Sequence, residues 1–194
     1  MGYATLISKA AQQDTHFDTG IAKKSVIIIT NRIILRSLVE TDVSERYLGW
    51  FINTNSTKDF IVSTPKMKQL SDLLFYIQER VNRKDVVFLG IFDRDNGLHI
   101  GNIKFEPINF GAGYAVMGIL IGDPEYRGKG VATEVLMACG AWLKQNLSIK
   151  KILLGVEENH ESAIKAYLKA GFIMEESPFI INSDPTIKTM ALHL

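Results

Sequence analysis

A short run of glycine and basic residues past the middle of the chain has the composition of a site for a phosphate-bearing ligand. Gly128 and Gly130 alternate with Arg127 and Lys129, after an apolar, strand-like run and before a helical pattern. Glycines let backbone N–H groups converge, and the first turn of a helix leaves its own N–H groups unpaired. This pattern predicts a phosphate site between a strand and a helix. The alternative is an ordinary strand-to-helix turn with solvated basic side chains.

Two familiar phosphate loops do not fit this run. A nucleoside-triphosphate P-loop has four residues between its first glycine and a Gly-Lys pair, with Ser or Thr next. Here five residues separate Gly122 from Gly128, and Gly130 stands where the Ser or Thr is required. The dinucleotide fingerprint fails as well, because Thr133 occupies the position of its third glycine.

The pattern that remains is Arg127-x-x-Gly130-x-Ala132. It resembles the acetyl-coenzyme A pyrophosphate loop of the GNAT superfamily of N-acetyltransferases, in which Arg or Gln is followed by two residues, Gly, one residue, and Gly or Ala. The resemblance covers residues 30–194, and its specific motifs lie in the second half of the chain.

A second segment resembles the closing motif of the same family. An apolar run at residues 151–156 is followed by Asn159, then by a short helical run that contains Ser162 and Tyr167, and then by Gly171 with Phe172. Residues 31–36, 47–51 and 121–124 are similar to a branch that contains ribosomal-protein and spermidine acetyltransferases and enzymes that acetylate nucleotide-linked amino sugars.

The resemblance implies acetyl-coenzyme A as co-substrate and assigns residues to it. The strand before the loop would splay from its neighbour and offer the backbone of Ile119, Leu120 and Ile121 to the pantetheine and the thioester. The coenzyme phosphates would bind at Arg127, Gly128, Lys129, Gly130, Val131, Ala132 and Thr133. Asn159 would orient the pantetheine or the helix after it.

Tyr167 matches the position at which many family members place the acid for the coenzyme A thiolate. A phenol with a pKa near ~10 is protonated at neutral pH and can serve as that acid. The alternative is a tyrosine that fills the groove between a helix and the sheet. Asn159 likewise has an alternative role as the N-cap of the helix predicted over residues 160–170.

A general base is less well marked. An aliphatic ammonium has a pKa near ~10.4, so the acceptor amine must lose a proton before it attacks. Glu106, at the end of a predicted strand, is the carboxylate chosen as catalytic base, against the alternatives of a solvated strand-end residue or deprotonation through water. His99 and His160 are expected to face solvent. No spacing of His, Cys, Asp and Glu predicts a metal.

The acceptor side of the site is predicted from Trp50, Phe51 and Asn53. Flat apolar rings beside amide groups suit a sugar or nucleotide ring, although the two aromatic residues would serve equally well to pack their helix on the sheet. The preferred function is transfer of an acetyl group to a small primary amine, with a nucleotide-linked amino sugar as the favoured acceptor. The alternatives are acetylation of a protein N-terminus and a non-catalytic acyl-coenzyme A-binding module.

Composition limits the classes of partner. The chain has 194 residues, 46% of them hydrophobic, and a formal net charge of +1. This balance gives no global field that would recruit nucleic acid or an anionic membrane. With no apolar run near the ~20 residues that span a bilayer, the expected location is cytoplasmic, as a monomer or homodimer. Cys139 cannot form an internal disulfide and is expected to be a packed core residue.

Local patterns predict the elements that position these residues. Residues 1–24 are predicted to be a flexible arm and residues 25–194 a single domain. Strands are predicted at 26–38 with a break at Asn31, and at 86–92, 98–107, 114–121, 151–156, 172–176 and 187–194. Helices are predicted at 42–52, 71–83, 131–143 and 160–170. Strands grouped first, with one β-α-β unit late, indicate an α/β (α+β) fold with a mixed sheet and helices on both faces. The GNAT resemblance implies a twisted, mostly antiparallel sheet.

Overall fold

A computed structural model describes residues 25–52, 67–180 and 184–194 of the chain. The predicted N-terminal arm at 1–24, the polar loop from 53 and the candidate substrate residue Asn53 lie outside the described residues. The single-domain boundary at residue 25 stays a prediction.

Within the described residues, one sheet contains all of the strands. They are β1 (Ile27–Ile29), β2 (Ile33–Ser37), β3 (Val87–Asp93), β4 (His99–Asn109), β5 (Tyr114–Ile121), β6 (Lys151–Glu157), β7 (Ile173–Met174) and β8 (Ile187–His193). Their order across the sheet is β1-β2-β3-β4-β5-β6-β8-β7. Every adjacent pair is antiparallel except β5 and β6, which are parallel.

Helices cover both faces of this sheet, which confirms the predicted fold class. On one face, α1 (Glu45–Ile52) and α2 (Leu70–Val81) pack against a core that includes Phe88, Phe92 and Leu120. On the other face, α3 (Val131–Leu147) and α4 (Glu161–Lys169) pack against the main core. The apolar stripe predicted for α3 is buried, including Cys139, whose thiol pKa is raised by burial.

The boundaries predicted for the helices and strands are close to the observed ones, with small differences at the ends. The strand predicted at 114–121 coincides with β5, and the break predicted at Asn31 is the turn between β1 and β2. The helix predicted at 42–52 is instead a 3-10 turn at Glu40–Asp42 followed by α1. The last predicted helix starts at Glu161, so Asn159 is not its N-cap; His160 holds that position.

The feature of the sheet that matters most for function is the short pairing of β5 with β6. Three residues of β5, Tyr114 to Val116, are partnered by β6. On its other edge, β5 stays paired with β4 as far as Ile121. The second half of β5 therefore has one edge to which no described strand bonds, and it leads directly into the glycine-rich loop.

On the face of the sheet that carries α1 and α2, α1 packs against the end of β5. The indole of Trp50, which is 8% exposed, lies against Gly122, where an added Cβ would come within 2.0 Å of the ring. Arg46 forms an ion pair with Asp123, a buried carboxylate that also accepts a hydrogen bond from the N–H of Glu125. Two contacts thus fix α1 to the start of the loop.

This packing predicts a contrast between two neighbouring glycines. Gly122→Ala should lower the free energy of unfolding by roughly 1–3 kcal/mol, because the indole cannot move away without disturbing the core. Gly118→Ala, where no described atom lies within 4 Å of the added Cβ, should leave stability almost unchanged. Urea unfolding of both variants measures the difference, and equal stabilities would contradict the packing of Trp50 on Gly122.

Candidate active site

The loop after β5 has the backbone that its glycines predict. A 3-10 turn at Pro124–Tyr126 is followed by Arg127, and Gly128 and Gly130 adopt φ values of 71° and 78°. L-residues with a Cβ rarely adopt this left-handed region. The guanidinium of Arg127 turns back to donate to the carbonyl oxygens of Ile121 at 2.8 Å and Gly122 at 2.9 Å. Arg127 therefore holds the loop against the end of β5.

The N-terminus of α3 opens directly from this loop. Gly130 is the N-cap and, having no side chain, leaves the first turn without a side-chain cap. The carbonyl of Gly130 accepts the N–H of Glu134, the first bond of the helix. The N–H groups of Val131, Ala132 and Thr133 have no acceptor in the described part of the chain, so they form an anion-binding end.

A basic groove continues along α3 from the loop. It has a volume of about 620 Å³, and Arg32, Lys129, Thr133, Met137 and Lys169 are among its lining residues. No ion pair within residues 25–52, 67–180 and 184–194 engages Lys129 or Lys169. Their ammonium groups leave the groove positive beside the helix end.

Glu134 fixes one wall of the groove through its bonds to other elements. The sequence did not indicate this residue as part of the site. Its carboxylate accepts from the Thr30 hydroxyl at 2.6 Å and forms an ion pair with Arg32 at 2.6 Å. Burial raises its pKa, but the hydrogen bonds from Thr30 and Arg32 lower it by more, so the carboxylate is ionised. Arg32 also donates to the carbonyl of Lys129 at 3.2 Å. The turn after β1 thereby supports the loop, a contact across about 100 positions that no local pattern indicates.

Tyr167 lies beside the same helix end. Thr133 Oγ1 donates to the carbonyl of Ala166 across 3.5 Å, which holds α4 next to the first turn of α3. The ring of Tyr167 packs on the main core, with its centroid 5.7 Å from that of Phe172. Burial raises the pKa of the phenol to about 12, so it is protonated at any physiological pH. No described residue hydrogen-bonds its hydroxyl.

Asn159 follows β6 in an exposed turn. Since β5 and β6 are parallel, their carboxyl ends lie at the same edge of the sheet, and Asn159 is on the same side as the loop. Its carbonyl accepts the N–H of Glu161 at 2.9 Å, and its side chain is bonded to none of the described residues.

Glu106 is surrounded by cations. Its carboxylate accepts from Arg80 Nε at 3.0 Å and pairs with Lys104 Nζ at 2.8 Å, and Arg83 contacts its other oxygen. Burial raises the carboxyl pKa, but the three cations lower it by more, so the net pKa is below the ordinary value. Such a carboxylate is a weak proton acceptor. Its role as catalytic base stays a prediction, in an environment better suited to an ion-pair anchor.

The two aromatic residues predicted on the acceptor side differ in exposure. Trp50 is buried against Gly122 as described above, and Phe51 is partly buried at the edge of the α1 and α2 core. The Tyr47 ring contacts both, with centroid distances of 5.0 Å to Trp50 and 5.6 Å to Phe51. Trp50 thus contacts the loop, while Phe51 keeps part of its ring at the surface.

The expectation that His99 faces solvent is wrong. Its ring stacks on Phe92 at 4.7 Å and meets the edges of Tyr47 and Trp50. Burial lowers the imidazole pKa to about 4, so the ring is neutral at pH 7. Nε2 donates to the carbonyl of Gly101 at 2.9 Å. The register between β3 and β4 shifts at this point, and the rings that cover His99 lie on α1 and β3, which the local sequence does not indicate.

No group of three His, Cys, Asp or Glu side chains among the described residues could share a metal ion. Each helix in residues 25–52, 67–180 and 184–194 is too short or too polar to cross a bilayer.

Comparison with known families agrees with this geometry. The family model described as an acetyltransferase (GNAT) domain matches residues 32–173. The chain therefore belongs to the GNAT acetyltransferase family, which confirms the resemblance seen in the sequence, and it is an acyl-coenzyme A-dependent N-acetyltransferase.

Solved structures show the same fold at low sequence identity. The chain is similar to RimL, a ribosomal-protein α-N-acetyltransferase solved with coenzyme A, at 16% identity and a TM-score of 0.75, covering 87% of this chain and 98% of that one. It is also similar to spermidine N-acetyltransferase from Vibrio cholerae, solved with coenzyme A and spermine, at 20% identity and a TM-score of 0.64, covering 84% and 96%. The microcin self-immunity acetyltransferase MccE, solved with acetyl-coenzyme A and AMP, matches at 16% identity and a TM-score of 0.70, covering 85% and 94%.

The ion-pair cluster at Glu106 predicts a pH-dependent stability. Because the folded carboxyl pKa is lowered, its contribution is fully present above the unfolded pKa of ~4.3 and is lost as pH falls through the lower folded value. Glu106→Gln should cost roughly 2–3 kcal/mol at neutral pH, since it leaves Arg80 and Lys104 partly buried without their anion. The variant should also lose less stability on acidification than the parent.

Urea unfolding from neutral pH to acid measures this effect. Glu79→Gln is the control, because Glu79 contacts Arg80 at 3.4 Å but is half exposed. Parallel pH profiles for the parent and Glu106→Gln would contradict the ion-pair assignment. A large loss of turnover with unchanged stability would instead favour the general-base hypothesis.

Proposed function

We propose that this enzyme binds acetyl-coenzyme A along the open edge of β5 and the N-terminus of α3, and transfers the acetyl group to the amine of a small molecule. The observation that supports the proposal is that two sets of backbone groups without hydrogen-bond partners follow one another along the chain. The free edge of β5 runs through Ile119, Leu120 and Ile121 into the uncapped first turn of α3.

The residues present fit the phosphates and the pantetheine of coenzyme A. The N–H groups at residues 128–133 suit the pyrophosphate, and Lys129 and Lys169 add charge for phosphate in the groove. The free edge of β5 suits the amide groups of a pantetheine, because an extended chain can bond to a strand edge. The side chain of Asn159, which has no hydrogen-bond partner among the described residues, is available to the same ligand. Arg127 supports the loop indirectly, through the carbonyl oxygens at the end of β5.

The reaction requires a neutral amine, a stabilised carbonyl oxygen and a proton for the leaving thiolate. The amine nitrogen forms a bond to the acetyl carbonyl carbon, the carbon–sulfur bond breaks, and the electron pair leaves with sulfur. Backbone N–H groups at the free edge of β5 are fixed donors for the carbonyl oxygen, and such preorganised donors contribute ~3 kcal/mol each in other enzymes. The ammonium loses one proton to water or to a base before it attacks, and the nitrogen loses a second proton once the new bond has formed.

Tyr167 is the group proposed to assist the leaving thiolate. Its pKa of about 12 keeps the phenol protonated. The same pKa makes complete transfer to a thiolate unfavourable, since a thiol has a pKa near ~8.5. Tyr167 therefore acts chiefly by donating a hydrogen bond to the developing thiolate, and solvent completes the protonation.

The acceptor is proposed to be a small primary amine, and a nucleotide-linked amino sugar fits the proposal well. Phe51 offers a partly exposed ring on the α1 face, and Trp50 supports the loop through Gly122. The near-zero net charge gives no field to recruit a charged protein partner. Acetylation of a protein N-terminus, the activity in the printed name of RimL, is the second candidate.

The loop assignment predicts a selective loss of coenzyme affinity. Gly130→Ala places a Cβ at φ 78°, which costs ~1–2 kcal/mol and rotates the N–H groups at the helix end. Gly113→Ala is the matched control, because Gly113 has φ 70° at the opposite end of β5. Titration calorimetry with coenzyme A should show affinity reduced roughly tenfold or more for Gly130→Ala and unchanged for Gly113→Ala. Equal affinities would contradict the assignment.

The role of Tyr167 predicts a change in turnover without a change in binding. Tyr167→Phe keeps the ring and its packing on Phe172 but removes the hydroxyl, so kcat should fall roughly 10- to 100-fold. The dissociation constant for coenzyme A and the melting temperature should remain those of the parent. Steady-state release of free thiol measures kcat. Parental turnover across the pH range would mean that Tyr167 is structural and that the leaving thiolate needs no hydrogen bond from it.

A further inference from the structure

On the sheet face under α1 and α2, the described residues leave an opening over Gly118. Along β5, alternate side chains face this side: Leu120 packs into the α1 and α2 core, and Val116 packs at a separate small cluster around Leu153. Gly118 lies between them and is exposed, and no described atom comes within 4 Å of where its Cβ would be. The opening is therefore on the free half of β5, the half proposed to hold the thioester.

Lys104 forms the side of this opening. It is the cross-strand partner of Gly118, so its side chain stands on the same face as the opening. The side chain is 16% exposed; its Nζ donates to the Tyr76 hydroxyl at 2.9 Å and pairs with Glu106 at 2.8 Å. An ammonium has three donors, and the described contacts use two of them.

The charge next to the opening is positive. Lys104 and Arg80, each 16% exposed, share the single carboxylate of Glu106, which is 14% exposed. Arg83 also binds Glu106. The acidic partners of the two arginines, Glu79 and Asp85, are 53% and 42% exposed, so their charges are better screened by water. The least exposed side chains of this cluster, Lys104, Arg80 and Glu106, thus carry two positive charges and one negative charge.

We propose that the opening over Gly118 receives the acceptor, and that Lys104 binds an anionic group, a carboxylate or a phosphate, carried by the same small molecule as the reacting amine. This rests on the proposed transfer of an acetyl group from the free half of β5. An anion at Lys104 would balance the excess positive charge, whereas a polyamine would add ammonium groups to it. Amines with an acidic group are therefore the substrates, and polyamines are not.

Two variants test the two parts of the proposal. Gly118→Leu fills the opening with a side chain that meets no described atom at its Cβ, so the protein should fold and bind coenzyme A but lose at least tenfold in kcat/KM for every acceptor. Lys104→Met keeps the stem and removes the charge, while Arg80 and Arg83 still neutralise Glu106. It should lower kcat/KM at least tenfold for acidic amines and leave neutral amines unchanged. Lys144→Met, on the exposed surface of α3, is the control with the same change of charge.

The acceptor panel contains amino acids, amino-sugar phosphates and nucleotide-linked amino sugars, their neutral analogues, and spermidine. A selective loss of kcat/KM in Lys104→Met for amines that carry a carboxylate, or for amines that carry a phosphate, supports the proposal and identifies the anion. Preference of the parent for spermidine, or equal losses for acidic and neutral amines, overturns it. Calorimetry with coenzyme A distinguishes a failure of the proposed function from a failure of this inference. Absence of coenzyme binding would refute the proposed function. Normal binding with full activity of Gly118→Leu would refute only this inference.

Discussion

The early end of the pairing between β5 and β6 is the constraint on which the rest of the site depends. A strand edge without a partner strand leaves its N–H and C=O groups to bond with water, with a ligand or with another chain. In β5 the edge toward β6 is paired only as far as Val116. The fold therefore maintains an edge that a second extended chain can complete. The parallel arrangement also requires a crossover, and α3 is that crossover, so its N-terminus opens beside the same edge.

Contacts from both faces of the sheet hold this arrangement. From one face, Arg46 and Trp50 of α1 engage Asp123 and Gly122 at the end of β5. From the other, Glu134 joins α3 to the turn after β1. The loop is consequently fixed before any ligand binds, which reduces the entropy lost on binding. The α1 face of the sheet and the glycine-rich loop meet at Gly122, on which Trp50 packs.

The sequence predicted the parts of this site that are local in the chain. The glycines of the loop, the bounds of β5 and the buried stripe of α3 follow from short-range turn chemistry and periodicity. The bonds of Glu134 to Thr30 and Arg32, and those of Arg80 and Arg83 to Glu106, join residues 23 to 104 positions apart, and no spacing rule indicates them. His99 was misjudged for a similar reason, since its burial comes from Trp50 and Phe92 on other elements. Glu106 illustrates the consequence: a carboxylate suitable for a base by position acquires a lowered pKa from neighbours that the sequence does not reveal.

A crystal structure of the enzyme with coenzyme A bound tests the central claim most directly. We expect pyrophosphate oxygens within hydrogen-bond distance of the N–H groups at residues 128–133. We also expect the pantetheine chain between β5 and β6, bonded to the free edge of β5 beyond Val116. Coenzyme A bound elsewhere on the protein, or β6 paired with β5 through to Ile121 in the complex, would contradict it.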